Sequence, residues 1–278
     1  SMNSLALITG IPRSGTTLVT KLLNCIPDVV ALNEPMPVMQ IAGKSDYELY
    51  HWIDSNVESY RSGLIRDGRV MTKYVNQTFV DNSFNESVNS RGLRPSIATL
   101  GLLDVKKDLT DQFLLAIKHN GAFTAVAHHL VHQYRCFAVI RNPLPVLLSW
   151  QTVDIPVNRG RMPVAEAIDH ELHRNLNRLT DNLDRQIFIL NWFFERFYQF
   201  FSEKNIIRYE DLVKEGSTYL TKITPGACLS SGQLSSRNTS SLYTRELVPE
   251  IIARLKNTGG HFTHFYSISE IESVLSES

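Results

Sequence analysis

Cysteine is scarce and scattered: the 278 residues contain three, Cys25, Cys136 and Cys228, with no C-x-x-C pair. That pattern excludes a disulfide framework and fits reduced thiols. Net charge is lacking too, because 28 Lys and Arg balance 28 Asp and Glu, for a pI of about 7.1. Nothing in this balance marks a nucleic-acid or anionic-membrane partner. There is no apolar run of membrane-span length, no signal peptide ahead of the first apolar segment, and no internal repeat. The expectation is a soluble, cytoplasmic chain. An apolar fraction of 43 % suffices for a sizeable core, and 278 residues suit one α/β domain covering 1–278.

Strand-like and helical segments alternate along most of the chain, which predicts an α/β fold: a P-loop-type central parallel sheet with helices on both faces. Leu5 to Ile8, Val29 to Leu32, Leu114 to Lys118, the apolar run Cys136 to Ile140, and Ile206-Ile207 are the strand candidates. Helices are expected over 45–66, 122–134, from Pro143, through most of 163–203, and over 244–256. Residues 76–93, rich in Asn, Ser and Gly, read as a mobile segment or lid, and 215–241 as a surface loop.

The most informative stretch is Gly10-Ile-Pro-Arg13-Ser14-Gly15-Thr16-Thr17, between the first strand and a helical face of Leu18, Val19, Leu22 and Leu23. Strand, glycine-bounded loop and helix form a phosphate cradle, with backbone N–H groups and the helix dipole aimed at the anion. The spacing is that of G-x-x-x-x-G-K-[ST], but Thr16 stands where the triphosphate-binding lysine belongs. Its absence argues against ATP or GTP as donor. Arg13 supplies a cation from inside the loop instead. A second anion site is offered by Arg141, directly after a buried strand, with Ser149 about two helical turns later.

The loop resembles the 5′-phosphosulfate-binding motif of sulfotransferases that use 3′-phosphoadenosine 5′-phosphosulfate (PAPS). Its Arg-Ser-Gly-Thr-Thr form is similar to the tyrosylprotein sulfotransferases and to bacterial small-molecule enzymes. The order and spacing of Arg141 and Ser149 resemble the family's 3′-phosphate motif, and Tyr209-Glu-Asp-Leu212 resembles its Y-E-D-[LM] segment, which implies that Tyr209 lines the nucleotide site. The resemblance implies donor binding by Arg13, Ser14, Gly15, Thr16, Thr17, Arg141, Ser149 and Tyr209, with PAPS as donor and no metal required. It implies catalysis by the cations Arg13 and Lys118 and by one base, either Glu34, as in the tyrosylprotein branch, or His119, as in the cytosolic branch. The expected activity is transfer of a sulfuryl group to a hydroxyl or nitrogen of a polar small molecule, such as a bacterial secondary metabolite.

Two rival readings stand beside it: a P-loop small-molecule kinase, disfavoured by Thr16, and a catalytically silent nucleotide-binding module, disfavoured by the retained cations and base. Arg254, Lys256, Gly259 and Gly260 are a loose echo of the family's last nucleotide-contacting loop, and Arg237 is a further candidate. His128 and His132 are spaced for zinc on a helix but lack a third ligand, and His261 and His264 are candidates to face the acceptor. Nothing in the sequence fixes an oligomeric state.

Overall fold

The computed structural model describes residues 2–79, 83–229, 234, 236–237 and 240–276. Its strands are β1 (Leu5–Gly10), β2 (Val29–Asn33), β3 (Arg69–Tyr74), β4 (Thr99–Asp104), β5 (Leu114–Lys118), β6 (Cys136–Ile140) and β7 (Ile206–Arg208). Five of them form one parallel sheet in the order β2-β5-β1-β6-β7, and β3 and β4 pair separately as an antiparallel ribbon. The helices are α1 (Thr16–Asn24), α2 (Asp46–Asp67), α3 (Gly121–Ala125), α4 (Ala127–Gln133), α5 (Pro143–Trp150), α6 (Pro163–Ile168), α7 (His170–Arg178), α8 (Asn182–Phe200), α9 (Tyr209–Glu215), α10 (Val248–Thr258) and α11 (Ile268–Ser273). This is the expected α/β architecture, with a P-loop-like topology.

The sheet is covered on both faces, so β6, and β5 up to Lys118, read as unbroken apolar runs, and both strands are buried at every residue. Along β1 the two-residue period divides the side chains: Ala6 and Ile8 pack with Val19 and Leu23 of α1, while Leu7 packs with Leu49, Ile53 and Leu64 of α2. Beyond β6, Leu147 and Trp150 of α5 join Phe193, Phe194 and Phe197 of α8 in a third cluster.

Several elements differ from expectation. The helix expected over 122–134 breaks at Val126, whose φ of −108° and ψ of 15° leave the helical region. The helical stretch 163–203 is three helices, divided where Asp169 and Asp181 accept backbone N–H groups and restart the chain as N-caps. The start of the segment read as a surface loop folds into 3-10 turns at Gly216–Lys222 and Pro225–Leu229, and Tyr219, Leu220, Ile223 and Ala227 are buried there with α1. Four spaced apolar groups outweigh its Ser and Thr content. Much of 230–239, and residues 80–82 of the expected lid, lie outside the described residues. The described part of that lid has no helix or strand, yet isolated bridges Phe84↔Ser96 and Arg94↔Val153 tie it down. Among the described side chains Cys25 and Cys136 are unpaired, and burial pushes the Cys136 thiol up to about 12.

Candidate functional site

The register lines up the carboxyl ends of the strands, with Lys118 opposite both Ile8 and Asn33, Gly10 opposite Val139, and Ile140 opposite Arg208. Each strand then delivers its last or following residues to one cavity of about 580 Å³. In sheet order these are Glu34 beyond β2, Lys118 and His119 at the end of β5, Arg13 beyond β1, Arg141 beyond β6 and Tyr209 beyond β7. Three inter-strand steps separate β2 from β6, or about 14 Å. Ligands of open α/β sheets bind at this edge, where the strand order reverses around the first strand.

The loop after β1 is bolted to its neighbours. Trp150 Nε1 donates to Pro12 O at 2.8 Å, and a Cβ on Gly10 would lie 2.7 Å from Val139 O, so β1 and β6 approach as only glycine permits. Ser14 Oγ donates to Val139 O at 3.1 Å and Ser14 N to Ile11 O at 3.0 Å. Both donors of Ser14 are therefore used within the fold. Gly15, Thr16 and Thr17 line the cavity. The helix cap Gly15 has φ 100°, and Val19 N to Gly15 O is the first intrahelical bond. The N–H groups of Thr16, Thr17 and Leu18 precede it, at the positive end of α1.

Two non-glycine residues of the site are left-handed, Arg13 at φ 69° and Glu34 at φ 49°. Such a conformation strains an L-residue and recurs where function over-determines the backbone.

The lining carries Arg13, Lys73, Arg94, Lys118, Arg141 and Arg237 against Glu34, the one carboxylate among the described lining residues. A chain of zero net charge thus concentrates cations in its cavity. Burial, followed by the charges of Arg94 and Arg141, lowers Arg13 to about 10. Arg13 Nε donates to Ser149 Oγ at 3.0 Å, and its guanidinium lies 4.7 Å from the Phe84 ring centre. Arg141 donates to Arg13 O at 2.9 Å and to the Tyr243 hydroxyl at 3.1 Å, and stacks on Tyr209 at 4.3 Å. The Tyr209 hydroxyl accepts from Arg237 N at 2.8 Å. The two candidate anion sites are contiguous, since Arg13 touches Ser149 directly.

Tyr209 packs edgewise on the loop; a Cβ on Gly15 would sit 2.8 Å from its ring. Its neighbour Glu210 has a structural part: Oε1 accepts from Asn142 N at 2.8 Å and Oε2 from the Tyr266 hydroxyl at 2.7 Å. That carboxylate holds the start of α5, next to Arg141.

At the other end Glu34 accepts from Lys73 Nζ at 2.7 Å. Burial alone would raise its carboxyl, but Lys118, then Lys73 and His119, outweigh it and hold the group at about 2. Lys118 is itself lowered, by burial first, with Glu34 opposing and Lys73 and Arg13 adding to the fall. His119 is pushed down to about 3 by burial, with Glu34 opposing and Lys118 and Lys73 adding to it. Met36 N donates to His119 Nε2 at 3.1 Å, so this imidazole is a neutral acceptor there. Thr9 Oγ1 donates to Asn120 O at 2.7 Å and anchors this turn to β1. Val38, Ala122, Met162, Pro163 and Val164 supply apolar wall to the cavity.

Sequence reasoning missed Lys73, Arg94 and Tyr243. The alternation Arg69-Val-Met-Thr-Lys73, with Val70 and Thr72 buried, is the strand signal that places Lys73. Arg237 does line the cavity. Arg254 and Lys256 do not: Arg254 pairs with Asp181, Asp184 and Glu250, and Lys256 pairs with Glu272. His264 stacks on Tyr198 and His261 lies beside them, away from the cavity lining. His128 Nδ1 lies 2.9 Å from Arg196 Nη2, a cation where a metal would have to be. Among the described residues no group of three or more His, Cys, Asp or Glu is arranged around a metal position, and no helix is long and apolar enough to cross a membrane.

Fold and cavity together define an α/β protein of P-loop-like topology with a cation-rich pocket at the carboxyl edge of its sheet. The chain matches no known family model and no curated protein.

Proposed function

We propose that the protein is a PAPS-dependent sulfotransferase that moves a sulfuryl group to a hydroxyl or nitrogen of a small-molecule acceptor and releases 3′,5′-ADP. One observation carries the reading: six cations face a single carboxylate in the cavity, around a loop with Arg13 inside it and Thr16 in the lysine position. The residues fit a donor that is anionic at two places. Arg141 and Ser149 hold the 3′-phosphate, while Arg13 and the N–H groups of Thr16 and Thr17 hold the 5′ end beside Tyr209. When bound, PAPS supplies the sulfuryl group and a phosphate oxygen as its leaving group.

Arg13 and Lys118 put positive charge where negative charge grows as the S–O bond breaks. Glu34 takes the proton that the acceptor loses as its new bond to sulfur forms. Lys73 and Lys118 keep that carboxylate ionised at neutral pH. The neutral His119, with Nε2 engaged by Met36 N, favours Glu34 over His119 as base. Arginine and lysine supply the charge that phosphotransferases draw from Mg²⁺, so no divalent ion is needed. The kinase reading asks for a metal-binding carboxylate, and Glu34, the one among the described lining residues, is paired with Lys73. The apolar wall of Val38, Ala122, Met162, Pro163 and Val164 shifts the acceptor from the polar molecule expected to one with an apolar body.

The test is a thermal-shift comparison. At a hundredfold excess over Kd, 3′,5′-ADP should raise Tm by about 5 °C, and ATP with Mg²⁺ should leave it unchanged. Stabilisation by ATP with Mg²⁺ alone would overturn the reading. Stabilisation by 3′,5′-ADP without sulfation of any acceptor in a broad panel would favour the silent module.

A further inference from the structure

Arg94 is 3 % exposed, yet its Nε has no hydrogen-bond partner. A buried charged donor left unsatisfied is costly and calls for an explanation. The residue belongs to the irregular stretch between β3 and β4, but its backbone is fixed. Arg94 N donates to Thr152 O and Asp154 N donates to Arg94 O, both at 2.9 Å. Its Nη2 donates to Thr152 Oγ1 at 2.9 Å, and that hydroxyl donates to Ser149 O at 2.8 Å. Thr152 therefore ties the guanidinium to the end of α5 that carries Ser149, and the residue also lines the cavity. Its charged neighbours are Arg13 and Arg237, with Glu86 from its own stretch and the Tyr243 hydroxyl opposing them.

Building on the reading of this cavity as a donor site, we propose that Arg94 is a third ligand of the phosphate assigned to Arg141 and Ser149. It makes the protein selective for a 3′,5′-bisphosphorylated nucleotide over a 5′-monophosphate. An anion on the acceptor is the weaker alternative, because the reacting groups Glu34 and Lys118 lie toward the opposite edge of the sheet, on β2 and β5. The segment around Arg94 then serves the donor. It carries a cation into the site from outside the two phosphate motifs.

Isothermal titration of wild type, Arg94→Ala and Arg94→Lys with 3′,5′-ADP and with 5′-AMP tests this. Losing a charge-assisted contact should weaken 3′,5′-ADP binding by about 10- to 100-fold in Arg94→Ala, with 5′-AMP binding changed by less than about twofold. Arg94→Lys keeps the charge but loses the fork, and should fall between. An equal loss for both nucleotides, or no loss, overturns the proposal; so does a change confined to the acceptor KM. If Arg94→Ala shows no cooperative melt, Arg94→Lys alone carries the comparison between nucleotides. Wild type that binds ATP but not 3′,5′-ADP would overturn the donor-site reading itself, and this inference with it.

Discussion

At one end of the cavity Arg13, Arg94, Arg141 and Arg237 gather near the Tyr243 hydroxyl, with Glu34 far along the strand edge; at the other, Glu34 sits against Lys73 and close to Lys118. Both ends are built from residues just past strand termini, so their difference is one of compensation rather than architecture. Cations that repel one another, opposed at Arg94 by Glu86 but by no carboxylate at this end among the described lining residues, favour an incoming anion, and a bound polyanion relieves their repulsion. A carboxylate between two ammonium groups has its charge balanced and stays ionised at neutral pH, which leaves it able to accept a proton. The first arrangement is suited to binding, the second to handling a proton.

The sharpest way to separate the two ends is Glu34→Gln. Loss of the proposed base should lower kcat by about 100- to 10,000-fold. The Kd for 3′,5′-ADP, measured by titration, should stay within about twofold, since the substitution is distant from Arg141 and Ser149. Equal damage to turnover and nucleotide affinity would dissolve the distinction between the ends.

The pH dependence of stability gives a smaller effect of known sign. His119 titrates near 6.5 when unfolded but at about 3 when folded. Below 6.5 the unfolded chain therefore binds the extra proton, and stability falls by about 1.4 kcal/mol per pH unit until the folded group also titrates. Glu34, lowered from 4.5 to about 2, contributes stability that is present above 4.5 and is lost as pH falls through about 2. Between 6.5 and 4.5 the loss thus belongs to histidines, with His128, depressed to about 4, contributing as well. In His119→Gln, whose amide oxygen can still accept from Met36 N, a plot of Tm against pH should be flatter over that window. An unchanged slope would show that His119 is not held neutral.

The smallest effect is expected outside both ends. Arg254→Ala removes ion pairs with Asp181, Asp184 and Glu250 near the surface, so stability should change by about 1 kcal/mol or less. Nucleotide affinity should not change. A measured loss of 3′,5′-ADP binding in this variant would bring α10 into the proposed donor site.

Much of the fold was legible in the sequence because it is local. The run Cys136–Ile140 with Arg141 directly after it, and the apolar segment leading into the glycine-bounded loop, each state a strand and the turn that ends it. The helix break at Val126 and the pairing of β3 with β4 were not legible. In β4 Leu100 and Leu102 are exposed while Leu103 is buried, which inverts the usual burial of a strand's leucines. The meeting of Arg94 with Thr152 depends on a bridge between segments 58 residues apart. No local period encodes such a contact, and the same holds for Trp150 and Pro12. Charge was the most misleading quantity: a neutral total conceals a cavity whose described lining residues carry six cations and one carboxylate.

The left-handed backbone at Arg13 and Glu34 has a consequence for how the chain is constrained. Each costs of order 1–2 kcal/mol that a glycine would not incur. Screening variants for heat resistance alone would thus reward glycine at position 13, where a buried cation crowded by Arg94 and Arg141 is removed together with the strain, whereas at position 34 the relief is set against the lost pairing with Lys73. Only a screen that reads turnover keeps the arginine in place.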